Sequence, residues 1–265
     1  MIAGRRGQGG QALTEMLITF VWGVPLLLAI IQLGLMYRAK ATLNDATFRA
    51  ARAGSLHHAY THEMKQELVR AMVPTLYAVP PGENPSLIAY AARREGLAVL
   101  YGNDAHPIAR VEVVSPTARG FRELSRPAWG LTKDCGRGGC PNGGNYREVD
   151  ADQRLYEIPN DNLEQRPTTL VDVDGRMINV QDANLLKIRT VWCQEMKVPG
   201  INRLVWEAVN LSGLFNSEDW RRCSLLSAAG DGYYFPLSSH AVARMQTPVR
   251  CEGNPRGNTN CKNLR

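Results

Sequence analysis

Residues 12–37 read ALTEMLITFVWGVPLLLAIIQLGLMY, and from Met16 to Tyr37 the one strongly polar side chain is Gln32. Trp22, Gly23 and Pro25 interrupt the aliphatic run, and membrane helices tolerate such residues better than soluble helices do. About twenty residues cross the hydrocarbon core of a bilayer, so the length predicts a membrane-spanning helix. A secretory signal is the rival reading. Arg5 and Arg6 look like its basic start, and Ala39-Lys40-Ala41 looks like a small-x-small cut. Yet the apolar run exceeds the roughly 7–15 residues of a signal core. Arg38 and Lys40 crowd the cut, and Glu15 stands where that core would begin. The sequence therefore favours an anchor that stays attached.

Residues 5–15, RRGQGGQALTE, add a second pattern. A short basic leader ends at Gly10, and Glu15 is the fifth residue counted from Gln11. A carboxylate at the threshold of a membrane helix is costly and calls for a partner. Cleavage after Gly10 would free an amine on Gln11, mostly protonated at neutral pH because such amines titrate near roughly 7.7–8. That amine would neutralise Glu15 of a neighbouring copy, or its own Glu15 one helical turn on. The simpler reading keeps Glu15 at the interface beside the positive end of the helix. Gly10, at this spacing and after basic residues, favours processing and assembly.

A Gly, a Glu at the fifth following position and a long apolar helix resemble the class III signal of type IV pilins and pseudopilins. The wider stretch resembles the TadE-like family. The residues that carry this are Gly10-Gln11-Ala12-Leu13-Thr14-Glu15, Pro25-Leu26-Leu27-Leu28, Gly34 and Ala50-Ala51-Arg52-Ala53-Gly54. Leu185-Leu186-Lys187-Ile188-Arg189-Thr190 and Ala241-Val242-Ala243-Arg244-Met245-Gln246-Thr247-Pro248 also look like strands of longer members. The resemblance implies a bacterial accessory pilin of the tight-adherence (Flp) pilus system, cut by a prepilin peptidase. Gln11 departs from the phenylalanine common at the start of type IV pilins, which argues against N-methylation of the mature end.

Six cysteines, Cys135, Cys140, Cys193, Cys223, Cys251 and Cys261, all lie in the C-terminal half. An even number in a membrane-anchored chain points to disulfides and an oxidising compartment; buried thiols in a cytosolic domain are the plainer alternative. Six cysteines allow about fifteen connectivities, and spacing does not choose among them. Short loops make Cys135–Cys140 and Cys251–Cys261 the simplest local bridges, with Cys193 and Cys223 left over. The flanking charges point the other way from the cysteines. Arg38, Lys40, Arg49 and Arg52 outnumber Arg5 and Arg6, which on the positive-inside count places the C-terminal side in the cytoplasm. The cysteines and the leader together favour the periplasm.

The formal net charge is +6, without a dense basic patch interleaved with aromatics, so no nucleic-acid partner is expected. Beyond the membrane, Ala39 to Ala53 continues as a helical stem, and Gly54 reads as its stop or break. Thr61 to Met72 predicts a second helix with Met64, Leu68 and Met72 along one core-facing stripe, ended or kinked by Pro74. Asn84 and Pro85 predict the cap and first turn of a third helix reaching Tyr101. The remainder reads as strands and loops. Strands are expected at Ile108–Val114, Leu170–Val173, Met177–Val180, Leu186–Cys193, Tyr233–Leu237 and Ala241–Met245. Asp174-Gly175 marks a tight hairpin turn. Residues 135–145 hold five glycines and read as a loop, and the tail after Val249 has only Cys251 and Cys261 to hold it down.

The expected fold class is α+β: a long N-terminal membrane-spanning helix followed by a pilin-like periplasmic domain with helices and an antiparallel sheet. The expected divisions are a leader at 1–10, the assembly helix and stem at 11–54, and an α+β domain at 55–265. His57, His58 and His62 cluster without evident further metal ligands, so a solvated helix start explains them better. Asp172-Val173-Asp174-Gly175 lacks the full calcium-loop pattern. No phosphate loop or nucleophile elbow occurs, so no catalytic residue, metal or cofactor is expected. The expected role is a minor pseudopilin in the bacterial inner membrane. Its expected partners are the prepilin peptidase, other pilins or pseudopilins and the pilus assembly platform. A membrane-anchored periplasmic enzyme and a surface-binding module are the alternatives.

Overall fold

The computed structural model describes residues 9–76, 87–102, 108–128, 131–133, 146–148, 155–212, 217–230, 232–254, 257 and 259–265. Three helices come first: α1 (Gly9–Leu56), α2 (Thr61–Leu76) and α3 (Leu87–Gly102). Strand β1 (Ala109–Ser115) and helix α4 (Ala118–Leu124) follow. Short strands come next: β2 (Arg126–Pro127), β3 (Leu131–Lys133), β4 (Tyr146–Glu148), β5 (Tyr156–Ile158), β6 (Val171–Val173) and β7 (Arg176–Ile178). The chain then forms α5 (Val180–Ala183), β8 (Leu185–Glu195), α6 (Ile201–Ser212), α7 (Glu218–Ala229), β9 (Tyr234–Arg244) and β10 (Val249–Arg250). It is a mixed helix-and-strand fold with one long apolar N-terminal helix and small antiparallel sheets. Two compact units divide it: residues 1–41 with 193–237, and residues 42–192 with 238–265.

In the unit of residues 42–192 and 238–265, the last turns of α1 lie on the sheet ordered β1-β8-β9. Strand β1 pairs antiparallel with β8, from Ala109 opposite Trp192 to Val113 opposite Ile188, with a register shift before Ser115. Leu186, Ile188 and Thr190 alternate inward on β8, as a half-buried strand requires. Leu43, Ala46, Ala50 and Ala51 form the buried stripe of α1, spaced by three, four and one. Two polar contacts fix the helix against the sheet. Thr47 Oγ1 lies 2.6 Å from Thr190 Oγ1, and Ser239 Oγ donates to Asn44 Oδ1 at 2.9 Å. Met64, Leu68 and Met72 are fully buried, as their spacing predicts.

Several local expectations need correction. Gly54 does not stop α1; it is buried within the last turn of a helix that runs to Leu56. A Cβ at Gly54 would strike the Met64 side chain and lie 2.9 Å from Leu186 Cδ2, so the glycine permits close packing. The chain breaks instead at His58 and Ala59, both with positive φ. Pro74 sits inside α2, whose last turn continues to Leu76. Helix α3 starts at Leu87; the expected Asn84-Pro85 cap lies outside the described residues. Asp174 and Gly175 both have positive φ in the turn between β6 and β7, as a primed hairpin turn demands. The second strand ends at Ile178 because Asn179 caps α5, accepting from Asp182 N at 2.8 Å. Tyr234–Arg244 is one continuous strand rather than two.

The tail is held by more than its cysteines. Asn263 Nδ2 donates to Ala59 O at 3.0 Å and to Arg250 O at 2.9 Å, while its Oδ1 accepts from Glu252 N at 2.8 Å. Leu264 bridges Val113, and Arg265 O accepts from Ala118 N at 2.8 Å. The Glu112 carboxylate, 8% exposed, pairs with Arg110, with Arg189 at 3.3 Å and with Arg265 at 3.1 Å.

In the unit of residues 1–41 and 193–237, α6 and α7 replace the expected strands and loops. Apolar residues at 201, 204, 205, 208 and 211 carry the helical period of α6. Ser217 caps α7, its Oγ accepting from Trp220 N at 3.2 Å. Trp206 packs on Tyr233 with ring centroids 5.6 Å apart, and Trp220 Nε1 donates to Asn210 Oδ1 at 3.0 Å.

Candidate functional site

Gly10 and Gln11 lie in the first turn of α1, and Glu15 follows Gln11 by one helical turn. Glu15 is exposed, and among the described residues no side chain pairs with its carboxylate; its backbone carbonyl accepts from Thr19 Oγ1 at 2.8 Å. The glutamate therefore stands at the outer end of the apolar helix with its charge turned to the surroundings.

The nineteen positions from Leu13 to Ile31, Glu15 among them, define the surface that needs a solvent. From Leu13 to Ile31 every residue is exposed except Leu28 and Ala29, which are half-buried. Phe20, Trp22, Leu26 and Ile30 each show more than half their surface. This helix is long and apolar enough to cross a membrane, and almost none of its apolar stretch is covered by the protein. A core helix of a soluble protein would bury such residues, because exposed apolar surface costs roughly 25 cal/mol per Å². Pro25 lies inside α1, which continues through it.

Gln32 is the first buried position along this stretch, and Leu33, Gly34 and Leu35 after it are exposed again. Gln32 is 4% exposed, and its side-chain Oε1 accepts from Val198 N at 3.0 Å. From Leu13 to Gln32 the helix rises about 28 Å, close to the hydrocarbon thickness of about 30 Å. Past Gln32 the buried positions Ala39, Leu43, Ala46 and Ala50 recur at helical spacing, while Tyr37, Arg38 and Lys40 stay on other faces. The polar residue that interrupts the apolar sequence is thus the first one fully buried by folded chain. Sequence reading noted Gln32 but not its partner, since nothing in the sequence links position 32 to position 198.

Of the expected cysteine pairs, the structure joins Cys193 to Cys223 and Cys251 to Cys261, with Cα atoms 5.5 and 4.8 Å apart. The first ties β8 to α7; the second closes the tail. Cys135 and Cys140 lie outside the described residues. The histidines go separate ways. His58 Nδ1 lies 2.8 Å from Pro248 O, and His62 Nε2 lies 2.8 Å from Gln66 Nε2. Among the described residues, no three His, Cys, Asp or Glu side chains gather as a metal site. Asp172 Oδ1 accepts from Gly175 N at 2.9 Å, a contact that serves the hairpin.

Two of the concave regions among the described residues bring polar side chains together. One, about 350 Å³, is lined by Tyr60, His62, Glu63, Cys251, Glu252 and Gly253. Glu252 is already engaged there, its Oε2 accepting from Thr61 N and Oγ1 at 3.1 and 2.7 Å. The other, about 440 Å³, includes Arg126, Glu157, Asp161 and Arg166. Three of these charges are in ion pairs, Arg166 with Asp161 at 2.7 Å and Glu157 with the neighbouring Arg250 at 3.0 Å, and Arg126 donates to Ser125 O at 3.1 Å. Neither presents a nucleophile beside a base. No family model, curated protein or solved structure matches this chain.

Proposed function

We propose that this protein is a minor pseudopilin that takes part in building a tight-adherence (Flp type IV) pilus, with a structural rather than an enzymatic role. The observation that carries the reading is the bare apolar stretch of α1 with Glu15 near its outer end. In this reading the stretch from Leu13 to Ile31 sits in the bacterial inner membrane and later packs among the helices of other pilins. Prepilin peptidase cuts between Gly10 and Gln11. The new amine of Gln11 then meets Glu15, either one turn away or on a neighbouring subunit at the assembly platform. The pairing removes an uncompensated carboxylate from an apolar setting, which is the physical drive for stacking. A periplasmic location for the rest of the chain accords with the two disulfides among its described residues. The size of the folded region favours a minor or priming subunit over the repeating one.

Mass spectrometry of the N-terminus tests this, with the chain expressed in bacteria with and without a prepilin peptidase. The expected mature chain begins at Gln11 only when the peptidase is present. A chain beginning at Thr42 would overturn the reading, because the membrane helix would have been discarded. A leader retained in both hosts would remove the processing step.

A further inference from the structure

Helix α6 is held from one side and bare on another. Ile201 is buried, Trp206 packs on Tyr233, and Asn210 accepts from Trp220. Arg203 and Glu207 pair with each other at 2.8 Å on the exposed polar edge. Leu204, Ala208 and Leu211 form a third edge at i, i+4 and i+7, all exposed, with Leu204 at 62% and Leu211 at 87%. This is the three-way division of a helix that lies in a membrane surface: one side to the protein, one to water and one to lipid.

The level of α6 along α1 says what covers the bare edge. Val198 is hydrogen-bonded to Gln32, and α6 begins three residues after Val198. Gln32 lies about 7 Å before Tyr37 along the helix axis. Tyr37, 78% exposed and followed by Arg38 and Lys40, has the character of an interfacial anchor. The start of α6 is thereby tied to α1 about 7 Å below that level, within the roughly 5–10 Å to which interfacial helices sink.

We propose that α6 is an interfacial helix, its Leu204–Ala208–Leu211 edge resting in the headgroup–acyl boundary of the bilayer that α1 crosses. This rests on the membrane reading of α1 given above. It assigns the 193–237 region a second membrane contact, which would fix the tilt of α1 and the orientation from which the subunit leaves the membrane.

The test places a benzoylphenylalanine photoprobe singly at Leu27, Arg203, Leu204, Glu207 or Leu211 in the full chain. Each variant is reconstituted in vesicles of phosphatidylcholine and phosphatidylglycerol and irradiated. Lipid adducts are expected at Leu27, Leu204 and Leu211, with loss to background at Arg203 and Glu207. Adducts at Leu27 alone would overturn the interfacial helix and leave the anchor standing. Adducts at none of the five would overturn both. Chain-to-chain adducts at Leu204 and Leu211 in place of lipid adducts would also overturn it, since the edge would then face another protein surface.

Discussion

Gln32 and Val198 are joined by a 3.0 Å hydrogen bond between the glutamine side chain and a backbone N–H 166 residues away. A polar side chain within an apolar run costs several kcal/mol when it faces hydrocarbon without a partner. Here its carbonyl has one, and the partner is the loop that leads into α6. Replacing Gln32 with alanine leaves the Val198 N–H without this acceptor, at an expected cost of about 1–3 kcal/mol. The loss is expected as faster amide exchange at Val198 in micelles. Unchanged protection there would show that the contact does not hold the segment.

Gly54 lets α1 approach α2 and β8 closely. Gly54→Ala drives a methyl into Met64 and toward Leu186, both fully buried. Overpacking of this kind is expected to cost about 1–3 kcal/mol, read as a lower urea midpoint. A midpoint equal to or above that of the parent would mean that Met64 moves aside freely, and the close-packing account would fail.

Glu112 is the shared anion of three arginines from β1, β8 and the chain end. Glu112→Ala removes the buried partner and leaves like charges together. Because Arg265 is mostly exposed, solvent screens part of the effect, and the expected loss is about 1–3 kcal/mol. The tail is expected to loosen first, so proteolysis after Asn263 or Lys262 should precede global unfolding. Simultaneous loss would argue that the tail is integral to the core.

The two disulfides among the described residues close loops of different size, with separations of 30 and 10 residues. Chain entropy assigns about 4 kcal/mol to the first and about 3 kcal/mol to the second. Paired serine variants at Cys193 and Cys223, and at Cys251 and Cys261, are therefore expected to rank in that order of destabilisation. A reversed order would mean that packing around the tail outweighs the entropy of the loop.

Glu15→Ala removes a charge and leaves the apolar stretch intact. Insertion into the membrane is expected to be unchanged or improved, while incorporation into pili falls sharply. Normal pilus yield from that variant would remove the amine–carboxylate pairing from the proposed mechanism. Glu15→Asp, which keeps the charge on a shorter arm, is expected to retain more assembly than the alanine variant.

How much was legible in the sequence follows from the range of each interaction. The apolar run of α1, the stripe of Met64, Leu68 and Met72, and the Asp174-Gly175 turn are local patterns, set by hydrophobic period and backbone geometry over a few residues. So are Gly10 and Glu15, whose spacing is a feature of the chain itself. Helices α6 and α7 were missed in the sequence, although the apolar period at 201–211 and the Ser217 cap carried a local signal for them. Partners distant in the chain were not legible. That Gln32 meets Val198, that Asn263 closes on Ala59, and that Gly54 makes room for Met64 depend on close packing between segments brought together only by folding. The sequence set which stretch of α1 is apolar; the tertiary structure decided which of its side chains, Gln32 among them, are covered, because burial is a property of neighbours in space.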